Sequence, residues 1–264
     1  MYNFNYVRPA SLADAAKALG ASADAKIVAG GQTLLPTMKQ RLAQPSDLVD
    51  LGGIAELKGI KMDGNNLVIG AMTTHAEVAK SSVVKGAIPA LAVLADGIGD
   101  PQVRNRGTIG GSISNNDPAA DYPAGLVGLG ATVVTNKRKI AADDFFKGMF
   151  ETALGAGEIV TAVSFPKPDK AAYMKFPQPA SRFALVGVFV SKSGNNVRVA
   201  VTGAGPKVFR QADMEKALGA NFSADAIKGV KVVSSGLNSD IHGSADYRAH
   251  LVGVMARRAV AAAG

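Results

Sequence analysis

Cysteine is absent from this chain, and no run of apolar residues is long enough to cross a bilayer. Without cysteine, the chain has no disulfide, no thiolate metal site and no cysteinyl iron-sulfur cluster of its own. A membrane-spanning helix needs about 18 or more consecutive apolar residues, and the N-terminal segment Met1–Tyr6 lacks the basic and apolar regions of a secretory signal. We therefore expect a cytoplasmic protein without a membrane span.

Clusters of positive charge are also scarce. The net charge is +8, but the basic residues are scattered singly, and the densest run is Lys137–Lys139. This run lies between apolar segments, which favours a solvated hairpin tip over a nucleic-acid site. A basic surface also suits acidic partners or anionic cofactors. With 47% hydrophobic and 19% charged residues among 264, the composition predicts a globular protein of one large or two smaller domains.

Helix and strand signals alternate along the chain. Ser11 is placed to cap a helix that ends at Gly20, and Lys26–Ala29 predicts a short buried strand that leads into two glycines and a helix from Leu34 to Leu42. We expect further strands at residues 48–51, 66–71, 132–134, 159–163, 183–190 and 197–201, and further helices at 75–80, 89–98, 211–218 and 245–263.

These elements interleave without a regular βαβ period, which indicates an α+β fold rather than a doubly wound sheet. Pro166–Lys170 combines two prolines with three charged residues and therefore predicts a linker. We expect a second, smaller domain over residues 173–264.

Two glycine-rich stretches are the most informative feature of the sequence. They are Ala29–Thr33 and Thr108–Ser112. Each offers backbone N–H groups unshielded by side chains, next to a hydroxyl or amide, and this is what an anionic diphosphate requires. The first stretch follows a strand and precedes a helix start, where orphan N–H groups favour an anion. A tight strand-to-helix turn is the alternative interpretation.

The second stretch belongs to a longer polar segment, residues 99–121. Few of its 23 positions are apolar, so we expect a loop rather than a segment of the core. Its density of glycine, hydroxyl and amide groups exceeds what a plain connection requires. The alternative is a disordered linker. Together, the two stretches predict a nucleotide cofactor.

Several segments in this order resemble one protein family. They are Ala29–Pro36, Arg104–Ser112, Asp117–Asp121, Ser181–Val186 and Asp246–Leu251. Essentially the whole chain is similar to the FAD-binding medium subunit of molybdenum hydroxylases, a group that includes the carbon monoxide dehydrogenase medium chain and the flavin domain of xanthine dehydrogenase. The resemblance implies a PCMH-type FAD-binding domain at 1–168, with subdomains of about 1–55 and 56–168, and a small α+β C-terminal domain at 173–264 with a short antiparallel sheet.

The resemblance also implies the cofactor-binding residues. The first stretch would wrap the diphosphate and the flavin, the second would complete the diphosphate site, and Asp121 would bind ribityl or ribose hydroxyls. Because a carboxylate repels phosphate, we expect Asp121 to lie away from the diphosphate. The full set is Lys26, Ile27, Val28, Ala29, Gly30, Gly31, Gln32, Thr33, Leu34, Thr108, Gly110, Gly111, Ser112, Ser114, Asp121, Val160 and Lys175.

The implied function is electron transfer through FAD within a molybdenum hydroxylase complex of the carbon monoxide, aldehyde or purine dehydrogenase type. Electrons would pass from a molybdopterin-binding large subunit through a two-iron iron-sulfur small subunit to FAD on this chain, and then to NAD, oxygen or a quinone-linked acceptor. The expected assembly is a dimer of heterotrimers. Since the chain lacks cysteine, the clusters are expected on partner chains, and no residue of this chain is expected to be catalytic or to bind a metal.

Two other functions remain open from the sequence. One is a self-contained flavin oxidoreductase of the vanillyl-alcohol-oxidase-like group, for which the residues after the linker are too few to form the usual large substrate domain. The other is a scaffold subunit that has lost flavin. The organic substrate of the complex would be selected on another polypeptide.

Three further features have local interpretations. His75 follows a Thr-Thr cap and is expected to serve local hydrogen bonding, since the histidines lack metal-ligand spacing. Arg104 and Arg106 are either counter-charges for the ligand or part of a solvated or subunit-facing surface. Residues 197–208 half-match the Rossmann fingerprint, but Val208 replaces its third glycine.

Overall fold

The computed structural model describes residues 1–264 and begins with a small parallel sheet. Its strands are β1 (Asn5–Val7), β2 (Lys26–Val28) and β3 (Asp47–Asp50), in the order β1-β3-β2, with helices α1 (Leu12–Gly20) and α2 (Leu34–Lys39) between them. Ser11 caps α1 as predicted, because its hydroxyl accepts from the Asp14 N–H.

Two details of this region differ from the sequence prediction. The β2 strand lies at the sheet edge and only Val28 is buried, because β3 pairs with it on one side alone. Helix α2 ends three residues earlier than expected, since Arg41 adopts a left-handed φ of +61° that a helix does not allow.

A five-stranded antiparallel sheet forms the next layer, and seven helices accompany its strands in the sequence. The central strand is β10, in the order β4-β5-β10-β6-β7, and a separate hairpin pairs β8 with β9. The elements are β4 (Ile60–Asp63), β5 (Asn66–Gly70), α3 (His75–Lys80), α4 (Ser82–Ala87), α5 (Pro89–Asp96), α6 (Pro101–Arg106), α7 (Ile109–Asn115), α8 (Tyr122–Leu129), β6 (Thr132–Thr135), β7 (Lys139–Ala141), α9 (Ala142–Phe145), β8 (Phe146–Gly148), β9 (Glu151–Thr152) and β10 (Val160–Pro166).

The polar segment 99–121 is not the loop that its composition predicts. It contains α6 and α7, and Ile109 and Ile113 of α7 are fully buried in the main hydrophobic core. Two apolar residues four positions apart share one face of a helix, so they are enough to anchor a helix of two turns. The expectation that this segment lies outside the core was therefore wrong.

The C-terminal part is a four-stranded antiparallel sheet covered by a long helix. Helix α11 packs on β11 and β12, and the opposite face of the sheet meets α5 and α8. This accounts for the burial of both faces of β12. The elements are β11 (Lys170–Pro177), β12 (Ala184–Ser193), β13 (Asn196–Thr202), β14 (Phe209–Arg210), α10 (Ala212–Ala220) and α11 (Ala245–Ala263).

The two sheets are joined closely around Pro166–Lys170. Only residues 167–169 separate β10 from β11, and two of them donate backbone hydrogen bonds, Lys167 to the Asn65 carbonyl and Asp169 to that of Lys192. The predicted linker is therefore a short, hydrogen-bonded connection. None of the helices has the length and hydropathy that a bilayer crossing requires.

Loop 117–121 is held by the C-terminal sheet. The Gly203 N–H donates to the Pro118 carbonyl at 2.8 Å, and the Thr202 hydroxyl donates to the Ala120 carbonyl at 2.6 Å. On the other side of the sheet, the buried Arg248 guanidinium donates to the Gly203 carbonyl. The half-matched Rossmann segment is thus a structural turn that positions this loop, and it lines neither of the two main cavities.

Candidate functional site

A cavity of about 590 Å³ opens where the parallel sheet, helix α7 and the loop between β11 and β12 meet. Its walls include every residue of the predicted cofactor set except Val28 and Lys175. Val28 packs beside Met38 and Leu48 in a small core cluster. The tertiary structure therefore brings the two glycine-rich stretches to one site, although 74 positions separate Thr108 from Leu34 in the sequence.

The first stretch lines the cavity with unpaired backbone donors. The six consecutive N–H groups of Ala29–Leu34 donate no hydrogen bond within the protein. Gly31 allows this conformation because it adopts a left-handed φ of +73°. A run of free N–H groups in a turn forms an anion-binding concavity.

The second stretch contributes in a different way from the one expected. The first four N–H groups of α7 all have acceptors in the protein: Gly110 donates to the Ala71 carbonyl, Gly111 to the Thr108 hydroxyl, and Ile109 and Ser112 to backbone carbonyls. These amides are therefore occupied. Among the groups that α7 adds to the cavity wall are the side-chain hydroxyls of Ser112 and Ser114, which have no hydrogen-bond partner in the protein.

Glycine is required at Gly30, where the first stretch meets the backbone just before the second. A Cβ atom on Gly30 would lie 2.1 Å from the Arg106 carbonyl oxygen and 2.7 Å from the Gly107 Cα. A Cβ on Gly111 would lie 3.6 Å from that of Ala29. The absence of a side chain at Gly30 allows the two backbones to pack directly against each other, and Gly111 packs beside Ala29.

Asp121 lies in the cavity wall as a buried carboxylate with two partners. Only 4% of the residue is exposed. The Tyr173 hydroxyl donates to Oδ1 at 2.5 Å, and the Lys175 ammonium lies 3.0 Å from the same oxygen and also donates to the Gly97 carbonyl. Burial raises the pKa of the Asp121 carboxyl, while the charge of Lys175 and both hydrogen bonds oppose that rise.

This arrangement changes the expected position of Lys175. The ammonium group contacts Asp121 but lies outside the cavity wall, so it affects the cavity through that carboxylate. Tyr173 was missed from the sequence. A tyrosine within an apolar strand that needs a buried hydrogen-bond partner was its only signal.

His75 also lines the cavity, and the prediction for it was wrong. Its side chain makes no hydrogen bond in the protein, because the cap of α3 is completed by Thr74 and Glu77, which bond each other's backbone N–H groups. The imidazole packs against Tyr122 with ring centroids 5.3 Å apart. Burial, followed by the nearby positive charge of Arg104, lowers the pKa of His75 to about 4.

Glu158 is a second buried carboxylate in the wall. Arg138 donates to it at 3.0 Å, and the Thr135 hydroxyl and the Gly155 N–H also donate to it. The hydrogen bond from Arg138 is the main reason that the pKa of Glu158 is lowered to about 2, against the opposing effect of burial. The basic run at Lys137–Lys139 is confirmed as a hairpin turn, but Arg138 within it is paired with this carboxylate.

Two residues at the rim of the cavity have unusual backbone conformations. Phe150 and Arg182 adopt left-handed φ angles of +56° and +62°. Phe150 and the neighbouring rim residue Phe183 are exposed aromatics. No local sequence pattern predicts a positive φ at a phenylalanine or an arginine, so both were missed.

The two arginines of α6 lie outside the cavity wall. Arg104 donates to the Ile98 and Gly99 carbonyls and lies 3.7 Å from a carboxylate oxygen of Asp96. Its side chain therefore stabilises the end of α5. Arg106 contributes its carbonyl to the contact with Gly30.

Comparison with known proteins places the chain in a family. Residues 2–168 match the family described as the FAD binding domain in molybdopterin dehydrogenase, and residues 171–263 match the CO dehydrogenase flavoprotein C-terminal domain. The chain is 40% identical to the nicotine 6-hydroxylase medium subunit of Paenarthrobacter nicotinovorans and 37% identical to the carbon monoxide dehydrogenase medium chain of Hydrogenophaga pseudoflava. Each alignment covers 98% of this chain and 96% of the relative.

Solved structures agree with this assignment. A chain of reconstituted CO dehydrogenase from Oligotropha carboxidovorans superposes with a TM-score of 0.90 at 35% identity, over 99% of this chain and 98% of that one. The α+β architecture with an antiparallel C-terminal sheet, expected from the sequence, is thereby confirmed. The chain belongs to the family of FAD-binding medium subunits of molybdenum hydroxylases.

Proposed function

We propose that this chain binds FAD in the cavity described above and transfers electrons as one subunit of a molybdenum hydroxylase. The observation that carries the proposal is the run of six unpaired N–H groups in the cavity wall, from Ala29 to Leu34. Unpaired backbone N–H groups that line a cavity are available to bind an anion. A bound diphosphate would supply acceptors for several of them.

The energetics favour an anion at this wall. A hydrogen bond to a charged group contributes roughly 1.5–3 kcal/mol, so two or three such bonds from the first stretch are enough for tight retention. Two of the three carboxylates that line the cavity are paired with a cation, Asp121 with Lys175 and Glu158 with Arg138, while Asp117 accepts only from the Ala119 N–H. The electrostatic cost of bringing a second anion into the cavity is thereby reduced.

The other walls suit the remaining parts of FAD. The hydroxyls of Ser112 and Ser114 are free to bond a diphosphate or sugar, and the free lone pairs of Asp121 can accept from ribityl or ribose hydroxyls. Apolar residues such as Leu51, Met72 and Val160 offer packing for the flavin ring. When bound, FAD supplies the redox chemistry, and the protein orients it and tunes its surroundings.

The remaining members of the cofactor set have indirect roles in this proposal. Val28 anchors the start of the first stretch in its core cluster, and Lys175 holds Asp121. The proposed boundaries remain an FAD-binding domain at 1–168, with subdomains of about 1–55 and 56–168, and a C-terminal domain at 173–264.

The proposed complex contains two further kinds of subunit. A cysteine-free chain cannot ligate a cysteinyl iron-sulfur cluster, so we assign the clusters to a small subunit and the molybdopterin to a large one. The relatives described above are themselves named medium subunits or medium chains. We propose a dimer of heterotrimers, in which NAD, oxygen or a quinone-linked compound accepts the electrons.

The cofactor site can be tested with two variants of Gly111 that differ only in charge. Asp and Asn have the same shape, and a side chain at this position needs an adjustment of only a few tenths of an ångström against the Thr108 hydroxyl. Gly111→Asp is expected to lose bound flavin because its carboxylate repels the diphosphate, whereas Gly111→Asn should retain substantially more. Flavin content is measured from the visible spectrum of the purified chain. Equal content in the two variants would show that the diphosphate lies elsewhere.

The native complex provides the second test. Flavin, iron and molybdenum should be present together when the chain is purified with its partners, as measured by the visible spectrum and metal analysis. A colourless chain that purifies alone and takes up no added FAD would refute the proposed function.

A further inference from the structure

His75 is a buried polar side chain in the cavity wall with no hydrogen-bond partner in the protein. The residue is only 4% exposed, and its Nδ1 atom is fully enclosed and unpaired. Most buried polar side-chain atoms in native proteins have a partner, since an unsatisfied one costs about 1–3 kcal/mol. A residue in this position therefore calls for a physical explanation.

The second ring nitrogen lies close to the glycine-rich wall. A Cβ atom on Gly107 would be 2.6 Å from His75 Nε2, so only glycine allows the imidazole to approach this closely. The Gly107 Cα in turn lies against Gly30, the first glycine of the run of free N–H groups. His75 Nε2 is thus next to the backbone contact at which the two glycine-rich stretches meet.

The two nitrogens have different surroundings. Nδ1 is enclosed, whereas Nε2 has no protein partner and is not among the fully enclosed unpaired atoms of the chain. A proton on Nδ1 would be an unsatisfied buried donor. A proton on Nε2 instead places the single N–H of a neutral imidazole on the nitrogen beside Gly107, in a residue that lines the cavity.

We propose that neutral His75 donates a hydrogen bond from Nε2 to a diphosphate oxygen of bound FAD. This inference rests on the proposed function and adds to it a residue that the family resemblance did not supply. The imidazole stays neutral at physiological pH because its pKa lies near 4. It therefore recognises the anion as a dipole, in the same way as the backbone N–H groups beside it.

A purely structural role makes a different prediction from a binding role. If His75 only filled space, its replacement by phenylalanine would leave ligand binding unchanged. If His75 binds the diphosphate, His75→Phe has two effects. It removes an unsatisfied polar group from the ligand-free protein, and it removes a hydrogen-bond donor from the FAD-bound protein. Thermal stability without ligand should then be equal or higher, while affinity falls.

The experiment measures ligand binding and stability on the full chain after removal of flavin. The variants are His75→Phe, which keeps an aromatic ring, and His75→Gln, which keeps an N–H donor of similar reach. Tyr122→Phe is the matched control, because it removes the unpaired buried hydroxyl of the ring that packs against the imidazole, and this residue lies outside the cavity wall. The probes are FAD, ADP, which carries a diphosphate without flavin, and riboflavin, which carries flavin without phosphate.

We expect His75→Phe to weaken FAD and ADP binding in parallel by roughly 10- to 100-fold, as for a charge-assisted hydrogen bond. In His75→Phe, riboflavin affinity and the melting temperature without ligand should not fall. His75→Gln should recover part of the affinity for FAD and ADP. Tyr122→Phe should bind all three probes like wild type. Unchanged FAD affinity in His75→Phe overturns the inference, and so does a loss for FAD without a matching loss for ADP. Failure of the wild-type chain to bind FAD overturns the proposed function instead.

Discussion

Lys175→Met removes the positive charge that compensates Asp121 inside the protein. The ammonium lies 3.0 Å from the carboxylate, and the exposed fractions of the two side chains are 10% and 4%. With an effective dielectric constant of about 20, a pair at this distance attracts by about 5.5 kcal/mol. Breaking a buried pair on one side typically costs about 3–5 kcal/mol, because the remaining charge is uncompensated.

Protonation of Asp121 sets an upper limit on the loss. At pH 7, moving a proton onto a carboxyl with an ordinary pKa costs about 4 kcal/mol. The Tyr173 hydroxyl also remains bound to the carboxylate. We therefore expect Lys175→Met to lose about 3 kcal/mol of the free energy of unfolding at pH 7. The difference in unfolding free energy between wild type and variant should shrink as the pH falls towards 4. Loss of the Lys175 charge raises the folded-state pKa of Asp121 further, so the folded variant binds more protons than its unfolded state.

The assay is urea denaturation followed by circular dichroism at pH 7 and pH 5, as a double-mutant cycle with Asp121→Asn. In the Asp121→Asn background, Lys175→Met should cost less than about 1 kcal/mol, since no buried anion remains to be compensated. Lys139→Met, on the exposed edge strand β7, is the control and should change stability by no more than about 0.5 kcal/mol. A loss below about 1 kcal/mol at pH 7, or one that persists undiminished in the Asp121→Asn background, would refute the reasoning.

Two further predictions concern residues of the cavity wall, and a third concerns the anchor of loop 117–121. Glu158 has a folded-state pKa of about 2, so its stabilisation is complete above its usual pKa and is lost as the pH falls from about 4.5 to 2. When the free energy of unfolding is measured against decreasing pH, wild type should lose more of it than Glu158→Gln, by at most about 3 kcal/mol. Identical curves for the two proteins would contradict this prediction. Gly30→Ala places a Cβ 2.1 Å from the Arg106 carbonyl oxygen, so it should lower the melting temperature and flavin content, whereas Gly20→Ala, with open space around it, should not. Arg248→Met removes the donors to two buried carbonyls and should lower the free energy of unfolding by about 2–4 kcal/mol. Amide hydrogen exchange should also become faster in loop 117–121. Unchanged exchange there would show that Arg248 does not hold this loop in place.

Several local features were predictable because they depend on neighbouring residues alone. The Ser11 cap and the bounds of α11 follow from short-range signals and were confirmed. The helices in segment 99–121 were not predictable in this way. Short helices are marginal by themselves, and α7 is stabilised by burying Ile109 and Ile113 in a core built from distant strands and helices.

The same distinction applies to the candidate site, where some features follow from neighbouring residues and others from contacts between distant ones. The free N–H groups of the first stretch follow from its glycines and the strand before it. The occupation of the Gly110 and Gly111 amides depends on Ala71 and on the Thr108 cap, which only the packed structure shows. His75 was assigned a local role because sequence proximity to a cap is visible, whereas its burial against Tyr122 is not.

By itself, the sequence determined the fold class, the family and the two glycine-rich stretches, since composition and local motifs carry this information. Only the tertiary structure decided that Gly30 meets the backbone of Arg106 and Gly107, that Lys175 supports Asp121 from behind, and that the His75 imidazole is left without a partner. These properties arise from contacts between residues far apart in the chain, whose burial and orientation are set by the packing of three sheets around one cavity.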